Sequence, residues 1–201
     1  MALDADDLRA AAARAREAAA AAHDELNAAD GKLGDGDTGV MLKRLFAAIA
    51  DAAPAEERDV SKMFQAFAKA CAASTGSSLG TLVTVSMMTL ARATKGRESV
   101  PVAELAGLLA AVREQMMARG GAQLGDKSVV DALDAVARSL EGVTDGPLGR
   151  AAARAAALAA LDEFRGRENR LGRARMFGAR TIGLDDPGML AFARLLDAVA
   201  V

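Results

Sequence analysis

The chain has 201 residues, enough for one domain with a sizeable core, and we expect residues 1–201 to form a single domain. Its net charge of −2 and pI of about 5.5 argue against a nucleic-acid-binding surface. No apolar run reaches the ~18 residues that span a membrane. The acidic start, Met1 to Asp7, lacks a signal-peptide pattern, and Cys71 has no partner for an intrachain disulfide. We therefore expect a cytoplasmic protein.

Apolar residues at helical spacing, punctuated by Gly, Pro and capping residues, predict an all-α domain of seven or eight helices without a sheet. Aromatic residues make up only 3% of the chain, so the core must consist of Ala, Leu, Val and Met. Thr38 is expected to cap the second helix and Ser61 to start the third. The predicted helices cover residues 4–28, 39–51, 61–73, 81–95, 101–119, 128–140, 148–165 and 187–201.

The first loop, residues 30–39, is the most informative segment between these helices. Asp30, Asp35 and Asp37 lie among four glycines and repel one another unless a cation lies between them. The glycines allow the backbone to bend and bring the carboxylates together. Carboxylate oxygens on such a loop suit Mg²⁺ or Ca²⁺. The alternative is an ordinary polar turn between two helices.

Three further polar segments precede later helices. The second loop, residues 74–80, offers hydroxyl and N–H groups that either bind phosphate or form a cap cluster. The third loop, residues 120–127, ends in Lys127 and in Asp126, which favours an N-cap role over that of a ligand. The arginine segment, residues 165–180, is mostly a solvated face, although Arg173 or a neighbour is able to pair with phosphate oxygens.

Alternate loops of an antiparallel bundle share one end, so these four segments are expected to meet. Together they describe a site for a magnesium nucleotide, in which carboxylates hold the metal and N–H, Arg or Lys groups hold phosphates. No Walker A motif or kinase-type glycine loop is present. The single histidine, His23, is either a general base or a surface or helix-packing residue.

Four motifs in order give the chain, from about residue 20 to 197, a resemblance to a known family. They are Asp30-x4-Asp35-Gly36-Asp37-x-Gly39, Thr75-Gly76 with Leu79-Gly80-Thr81, Gly125-Asp126-Lys127-Ser128 with Asp131-Ala132-Leu133, and Gly172-Arg173-Ala174 with Arg180-Thr181-Ile182-Gly183 and Asp186-Pro187-Gly188. The chain resembles the nucleotide-binding L subunit of dihydroxyacetone kinase, which also occurs as the carboxy-terminal domain of single-chain kinases.

The resemblance implies a barrel of about eight antiparallel amphipathic helices, with ADP or ATP held at one end through two Mg²⁺ ions. It implies metal ligation by Asp30, Asp35 and Asp37. The nucleotide-binding residues that it implies are Thr38, Gly39, Val40, Met41, Ser74, Thr75, Gly120, Val129, Arg173, Asp186, Pro187 and Gly188.

The resemblance further implies a kinase component that is inactive without a partner. Phosphate would pass to dihydroxyacetone or a similar short keto-sugar held on a separate K subunit, and in one variant a phosphotransferase-system protein recharges the nucleotide. The alternatives are a nucleotide-loaded module that acts on a transcription regulator, and a kinase domain for another substrate, as in fatty acid kinases.

The sequence departs from the L-subunit pattern at four places. One is the second loop, where Ala72-Ala73-Ser74-Thr75 is poorer in glycine than usual. Thr38 stands where histidine is usual, Met41 where asparagine is usual, and Asp185 adds a negative charge beside Asp186. A threonine hydroxyl still donates to phosphate, whereas a methionine cannot replace an amide. These differences leave the metal ligands in place and bear on the affinity for nucleotide.

Overall fold

Nine α-helices and a two-stranded β-ribbon make up residues 2–200, the part of the chain that the computed structural model describes. Short 3₁₀ segments lie at Val102–Glu104 and Ala174–Thr181. The strands are β1 (Ala2–Asp4) and β2 (Ser99–Pro101). The helices are α1 (Ala5–Ala21), α2 (His23–Leu33), α3 (Thr38–Asp51), α4 (Val60–Ser74), α5 (Ser78–Ala93), α6 (Leu105–Gly120), α7 (Val129–Ser139), α8 (Gly146–Arg165) and α9 (Pro187–Val199).

The helices pack in chain order and close into a ring. From α3 to α9 each helix contacts the next, and α9 packs back against α1. The prediction of an all-α barrel is confirmed. Within residues 2–200, no helix combines the length and the apolar character needed to cross a membrane.

The first predicted helix differs from the observed structure in two ways. It is interrupted at Ala22, so α1 and α2 are separate helices and the count is nine. It also extends past residue 28, and Asp30 therefore lies in the last turn of α2 rather than in a loop. Leu26, Asp30 and Leu33 form the buried side of α2 at helical spacing, which favours continuation of the helix through Gly31.

The prediction of no sheet is wrong. β1 pairs antiparallel with β2, and Leu3 lies opposite Val100, which is buried. A strand of three residues is too short to show the alternation of apolar and polar side chains by which strands are recognised.

Several predicted helix starts are shifted. The fifth predicted helix, placed from Pro101, begins as α6 at Leu105, because Pro101 lies in β2. Thr38 lies inside α3, whose N-cap is Asp37, and Ser61 lies inside α4, whose N-cap is Asp59. Helix α5 begins three residues before the predicted Thr81, with Ser77 as its N-cap. Asp59 and Ser77, just upstream of the predicted starts, cap their helices with their own side chains, whereas the Asp37 side chain makes no capping bond.

Small side chains form much of the core, as the composition predicts. Ala5, Ala12, Ala15 and Ala19 are the buried residues of α1. The barrel interior contains a cavity of about 310 Å³ lined almost wholly by apolar side chains from several helices. Few large aromatic side chains are available to fill this space.

Shortening a buried side chain of α3 should destabilise the fold. Leu45 is fully buried, so Leu45→Ala should lower the free energy of unfolding by about 2–5 kcal/mol through lost burial and a new cavity. The matched control is Leu158→Ala on the outer face of α8, where Leu158 is 44% exposed and the change should stay within about 0.5 kcal/mol. Urea unfolding of both variants measures the difference, and equal losses would contradict the barrel packing.

Candidate functional site

A cavity of about 560 Å³ opens at one end of the barrel. Its walls come from the first loop with α3, the second loop with α5, the end of the third loop with α7, and the segments before α9. The residues that line it include Asp30, Asp35, Asp37, Thr38, Val40, Met41, Arg44, Gly76, Ser77, Ser78, Leu79, Lys127, Ser128, Val129, Gly172, Arg173, Asp186, Pro187 and Gly188.

The carboxylates of Asp30, Asp35 and Asp37 converge at the rim of this cavity. One oxygen from each lies within 4.8 Å of the others. Glycines allow the approach: Gly36 has φ of +77°, and a Cβ on Gly34 would come within 2.3 Å of Asp30 Oδ1. The loop backbone therefore leaves open the space that the Asp30 carboxylate occupies.

Helix α3 is capped from α2 and not by its own N-cap side chain. Asp30 Oδ2 accepts hydrogen bonds from the N–H groups of Asp37 (3.0 Å) and Thr38 (3.2 Å). Asn27 Oδ1 accepts from the N–H groups of Gly39 (2.8 Å) and Val40 (3.2 Å). The Asp37 carboxylate makes no capping bond, so it is free to point into the triad.

The three carboxylates carry an excess of negative charge. Burial, together with the charges of Asp35 and Asp30, raises the pKa of Asp37. The hydrogen-bonded ion pair with Arg173 lowers the pKa of Asp35. A raised pKa next to like charges indicates that the triad is short of positive charge.

This donor set fits a hard divalent cation. It consists of carboxylate oxygens only, and two of the three side chains are exposed enough to leave room for water ligands. Neither histidine nor cysteine lies in the triad, which disfavours zinc. Of the residues in positions 2–200, Asp30, Asp35 and Asp37 form the one such cluster.

The second loop contributes the N-terminus of α5 to the cavity that the triad lines. The Ser77 hydroxyl caps the helix by accepting from the Gly80 N–H at 3.0 Å. Within residues 2–200 the N–H groups of Ser78 and Leu79 have no acceptor, and both residues line the cavity. These two donors are available to an anion, whereas the N–H groups at the start of α3 are already bonded.

Two predicted residues of the second loop lie outside the cavity lining. Ser74 ends α4, and the Thr75 hydroxyl accepts from the Ser77 N–H at 3.2 Å. Thr75 also packs against Gly80, where a Cβ would come within 1.9 Å of Thr75 Oγ1. The loop therefore presents Gly76, Ser77 and Ser78 to the cavity in their place.

Lys127 has a structural role that its sequence position did not reveal. It is 1% exposed, and its ammonium group donates to the carbonyls of Arg167 (2.9 Å) and Thr181 (2.7 Å). Burial lowers its pKa. With these acceptors in place, Lys127 ties the third loop to the arginine segment and does not present its charge to the cavity.

Asn169 completes this network, although its local sequence pattern does not predict a functional role. Its side-chain amide donates to the Lys127 carbonyl (3.0 Å) and to Asp186 Oδ2 (2.8 Å). Asp186 also caps α9 by accepting from the Met189 N–H at 2.9 Å, which confirms the predicted helix start. The only signal in the sequence is one uncharged amide within a run of charged residues, too weak to identify a buried position.

The remaining predicted positions are distributed as follows. Gly39 is buried against α2, where a Cβ would come within 2.1 Å of the His23 carbonyl oxygen. Gly120 ends α6 beside the Leu82 side chain and lies outside the cavity lining. Met41 is 7% exposed and packs with the core, and its N–H donates to the Asp37 carbonyl.

His23 and Asp185 both have nearby polar partners. His23 Nδ1 lies 2.8 Å from Asp24 Oδ1 at the start of α2, outside the cavity lining, as expected of a surface or helix-packing residue. Asp185, the extra negative charge beside Asp186, accepts from Arg165 Nε at 2.8 Å. The added charge is thus neutralised locally.

Comparison with known proteins identifies sequence relatives of this chain. The pattern of the DAK2 domain family matches residues 32–201. The chain is 27% identical over 181 residues to the PEP-dependent dihydroxyacetone kinase, ADP-binding subunit DhaL, of Escherichia coli K12, covering 88% of this chain and 86% of that protein. It is 29% identical over 183 residues to an L-erythrulose kinase of Pectobacterium atrosepticum, covering 88% of this chain but 31% of that protein.

A solved structure shares the fold. The dihydroxyacetone kinase from C. freundii, in complex with AMP-PNP and Mg²⁺, matches 96% of this chain with a TM-score of 0.74 at 24% identity. The match spans 33% of that protein's chain.

The buried network should make stability depend on pH. Burial raises the pKa of Asp186 from its ordinary 3.8 to about 6, while the Lys127 ammonium acts in the opposite direction. The folded chain thus binds the proton more tightly than the unfolded chain, so this group's contribution to the free energy of unfolding falls as pH rises from about 4 through 6.

Asp186→Asn keeps a capping side chain but does not titrate, so its stability relative to the unmodified chain should rise between pH 4.5 and 7. Urea unfolding of both proteins at the two pH values measures this change. A difference that stays constant with pH would contradict the assignment.

Proposed function

Since this chain belongs to the DAK2 domain family, we propose that it is the nucleotide-binding component of a kinase for a short keto-sugar such as dihydroxyacetone. One observation carries the proposal: the three converging carboxylates of the first loop and the free N–H groups of α5 line the same cavity. Cation ligands beside anion donors are what a magnesium nucleotide requires.

The first loop would hold the metal. We assign Asp30, Asp35 and Asp37 as ligands of two Mg²⁺ ions, in agreement with their oxygen-only donor set. When bound, Mg²⁺ would neutralise charge on the phosphate oxygens, which is the main requirement of phosphoryl transfer. Arg173, now paired with Asp35, would then be released to donate to phosphate.

The nucleotide would span the cavity from the first loop to α9. We assign the Thr38 hydroxyl and the Ser78 and Leu79 N–H groups to the phosphates, and Val129 to the base pocket. The segment Asp186-Pro187-Gly188 would lie near the ribose or phosphates. For Gly39, Val40 and Met41 the role would be to shape the wall, because their N–H groups are already bonded.

A sugar-binding partner is part of this proposal. The relatives from Escherichia coli and Listeria innocua are named ADP-binding subunits of PEP-dependent dihydroxyacetone kinases, and the chain covers 86% and 82% of their lengths. We therefore propose that a K-type subunit or domain supplies the sugar, and that a phosphotransferase-system protein is a candidate phosphodonor.

A second substrate is favoured by two other relatives. L-erythrulose 1-kinase of Mycolicibacterium smegmatis is 42% identical over 84 residues, covering 40% of this chain and 14% of that protein. Together with the Pectobacterium relative, it makes L-erythrulose the alternative keto-sugar. Because the partner would hold the sugar, kinase assays with the K-type component are needed to distinguish dihydroxyacetone from L-erythrulose as the substrate.

The triad should be essential for nucleotide binding. Asp35→Asn or Asp37→Asn removes a metal ligand, so each variant should lose Mg²⁺-dependent ADP binding in calorimetry, with an affinity loss of at least about 100-fold. Helicity should be unchanged, because neither side chain belongs to the core.

The matched control for charge is Asp51→Asn. Asp51 lies at the other end of α3, where it pairs with Arg16 on the surface, so its loss should leave ADP affinity unchanged. Unaltered ADP affinity in both triad variants would refute the site assignment.

The chain alone should not phosphorylate sugar. Incubated with Mg·ATP and either dihydroxyacetone or L-erythrulose, it should form no sugar phosphate until a K-type subunit is added. Mass spectrometry of the protein as purified would identify bound ADP, the form expected if a phosphodonor protein recharges it. Turnover by the single chain would refute the need for a partner.

A further inference from the structure

Three cationic side chains line the site cavity, and only two of them have hydrogen-bond or ion-pair partners within residues 2–200. They are Arg44 on α3, Lys127 before α7, and Arg173 in the arginine segment. The Lys127 ammonium is buried against two backbone carbonyls, and the Arg173 guanidinium pairs with Asp35. The Arg44 side chain makes no hydrogen bond or ion pair with any residue in positions 2–200, and it is exposed.

The position of Arg44 on α3 directs it to the site. It follows Val40 and Met41 by one helical turn, and all three line the cavity, so they share one face of the helix. Lys43, the neighbouring cation, is equally exposed but lies outside the cavity lining. Arg44 is separated from the arginine segment by more than a hundred residues, so the clustering of arginines in the sequence does not point to it.

An uncompensated guanidinium in such a cavity is suited to an anion. The planar N–H groups of arginine donate to phosphate oxygens in pairs, and a site that opens to solvent keeps them accessible. The opposite wall already supplies the Ser78 and Leu79 N–H groups. A polyphosphate held there would need positive charge beyond that of a cation bound at the triad.

We propose that Arg44 binds the polyphosphate chain of the nucleotide, as a binding residue of the site in addition to Arg173. This inference rests on the proposed function, because it assumes that a magnesium nucleotide occupies the cavity. The inferred contact is limited to one group of the nucleotide: Arg44 donates to anionic phosphate oxygens. It does not contact the base, the ribose or an acidic side chain of the partner.

The test compares Arg44→Gln with Lys43→Gln by calorimetric titration with Mg·ADP and, separately, with Mg·pyrophosphate. Arg44→Gln should weaken both ligands about 10- to 100-fold, the usual effect of losing a charge-assisted hydrogen bond. Lys43→Gln, which removes the same charge from the adjacent position, should change either affinity by less than about twofold. Arg44→Lys should recover part of the loss, because it restores charge without the paired donors.

The outcomes separate this inference from the proposed function. If the unmodified chain binds Mg·ADP and Arg44→Gln binds both ligands equally well, Arg44 has no role in phosphate binding and the inference is overturned alone. A loss confined to Mg·ADP overturns it as well, because the contact then lies at the base or ribose. If the unmodified chain binds neither ligand, the proposed function itself fails and the inference with it.

The weaker binding expected of Arg44→Gln should not arise from unfolding of the variant. Arg44 is exposed and unbonded, so Arg44→Gln should have the same circular dichroism and thermal unfolding as the unmodified chain. A variant that loses only sugar phosphorylation with the K-type partner, while its nucleotide affinity is intact, would place Arg44 at the partner interface and overturn the phosphate contact.

Discussion

The first turn of α3 is capped by side chains from α2, and the arrangement of the whole site depends on this contact. Asn27 and Asp30 lie one turn apart on α2 and together accept four N–H groups, from Asp37 to Val40. The side-chain carboxylate of an N-cap Asp normally accepts hydrogen bonds from the N–H groups of the first turn. Here the Asp37 carboxylate makes no capping bond, so it joins Asp30 and Asp35 in the triad, where burial and then the repulsion of the two like charges raise its pKa.

The opposite wall is fixed by a buried polar network rather than by packing alone. Lys127, Asn169 and Asp186 join three segments that are far apart in the sequence. Each of these groups is costly to bury without partners, so the segments are stable mainly in the arrangement that satisfies them. The network therefore holds Val129 and the start of α9 at the cavity, although Asn169 Oδ1 is buried without a hydrogen-bond partner within residues 2–200.

How far the sequence predicts this site depends on the range of the interactions involved. The carboxylates at 30, 35 and 37 were predictable, because close spacing among glycines is a local pattern. The roles of Asn27 and Asn169 were not, since a capping bond from another helix or a bond to a distant carbonyl leaves no trace in local spacing. Lys127 was misjudged for the same reason: a lysine before a helix looks accessible until the arginine segment covers it. The strand at Ala2–Asp4 was missed because three residues show no periodicity.

The charges of the cavity are arranged so that neither a cation nor a phosphate alone would balance them. The triad carries three carboxylates against one paired guanidinium, Arg173. The start of α5 offers unbonded N–H groups to the same cavity, and Arg44, on α3, adds a full positive charge that no residue in positions 2–200 neutralises. A bound cation would neutralise the triad and free Arg173, and the anion that accompanies the cation would accept hydrogen bonds from the α5 N–H groups and Arg44. The geometry thus favours binding of the two together, which is the property expected of a site that takes a magnesium nucleotide as one unit.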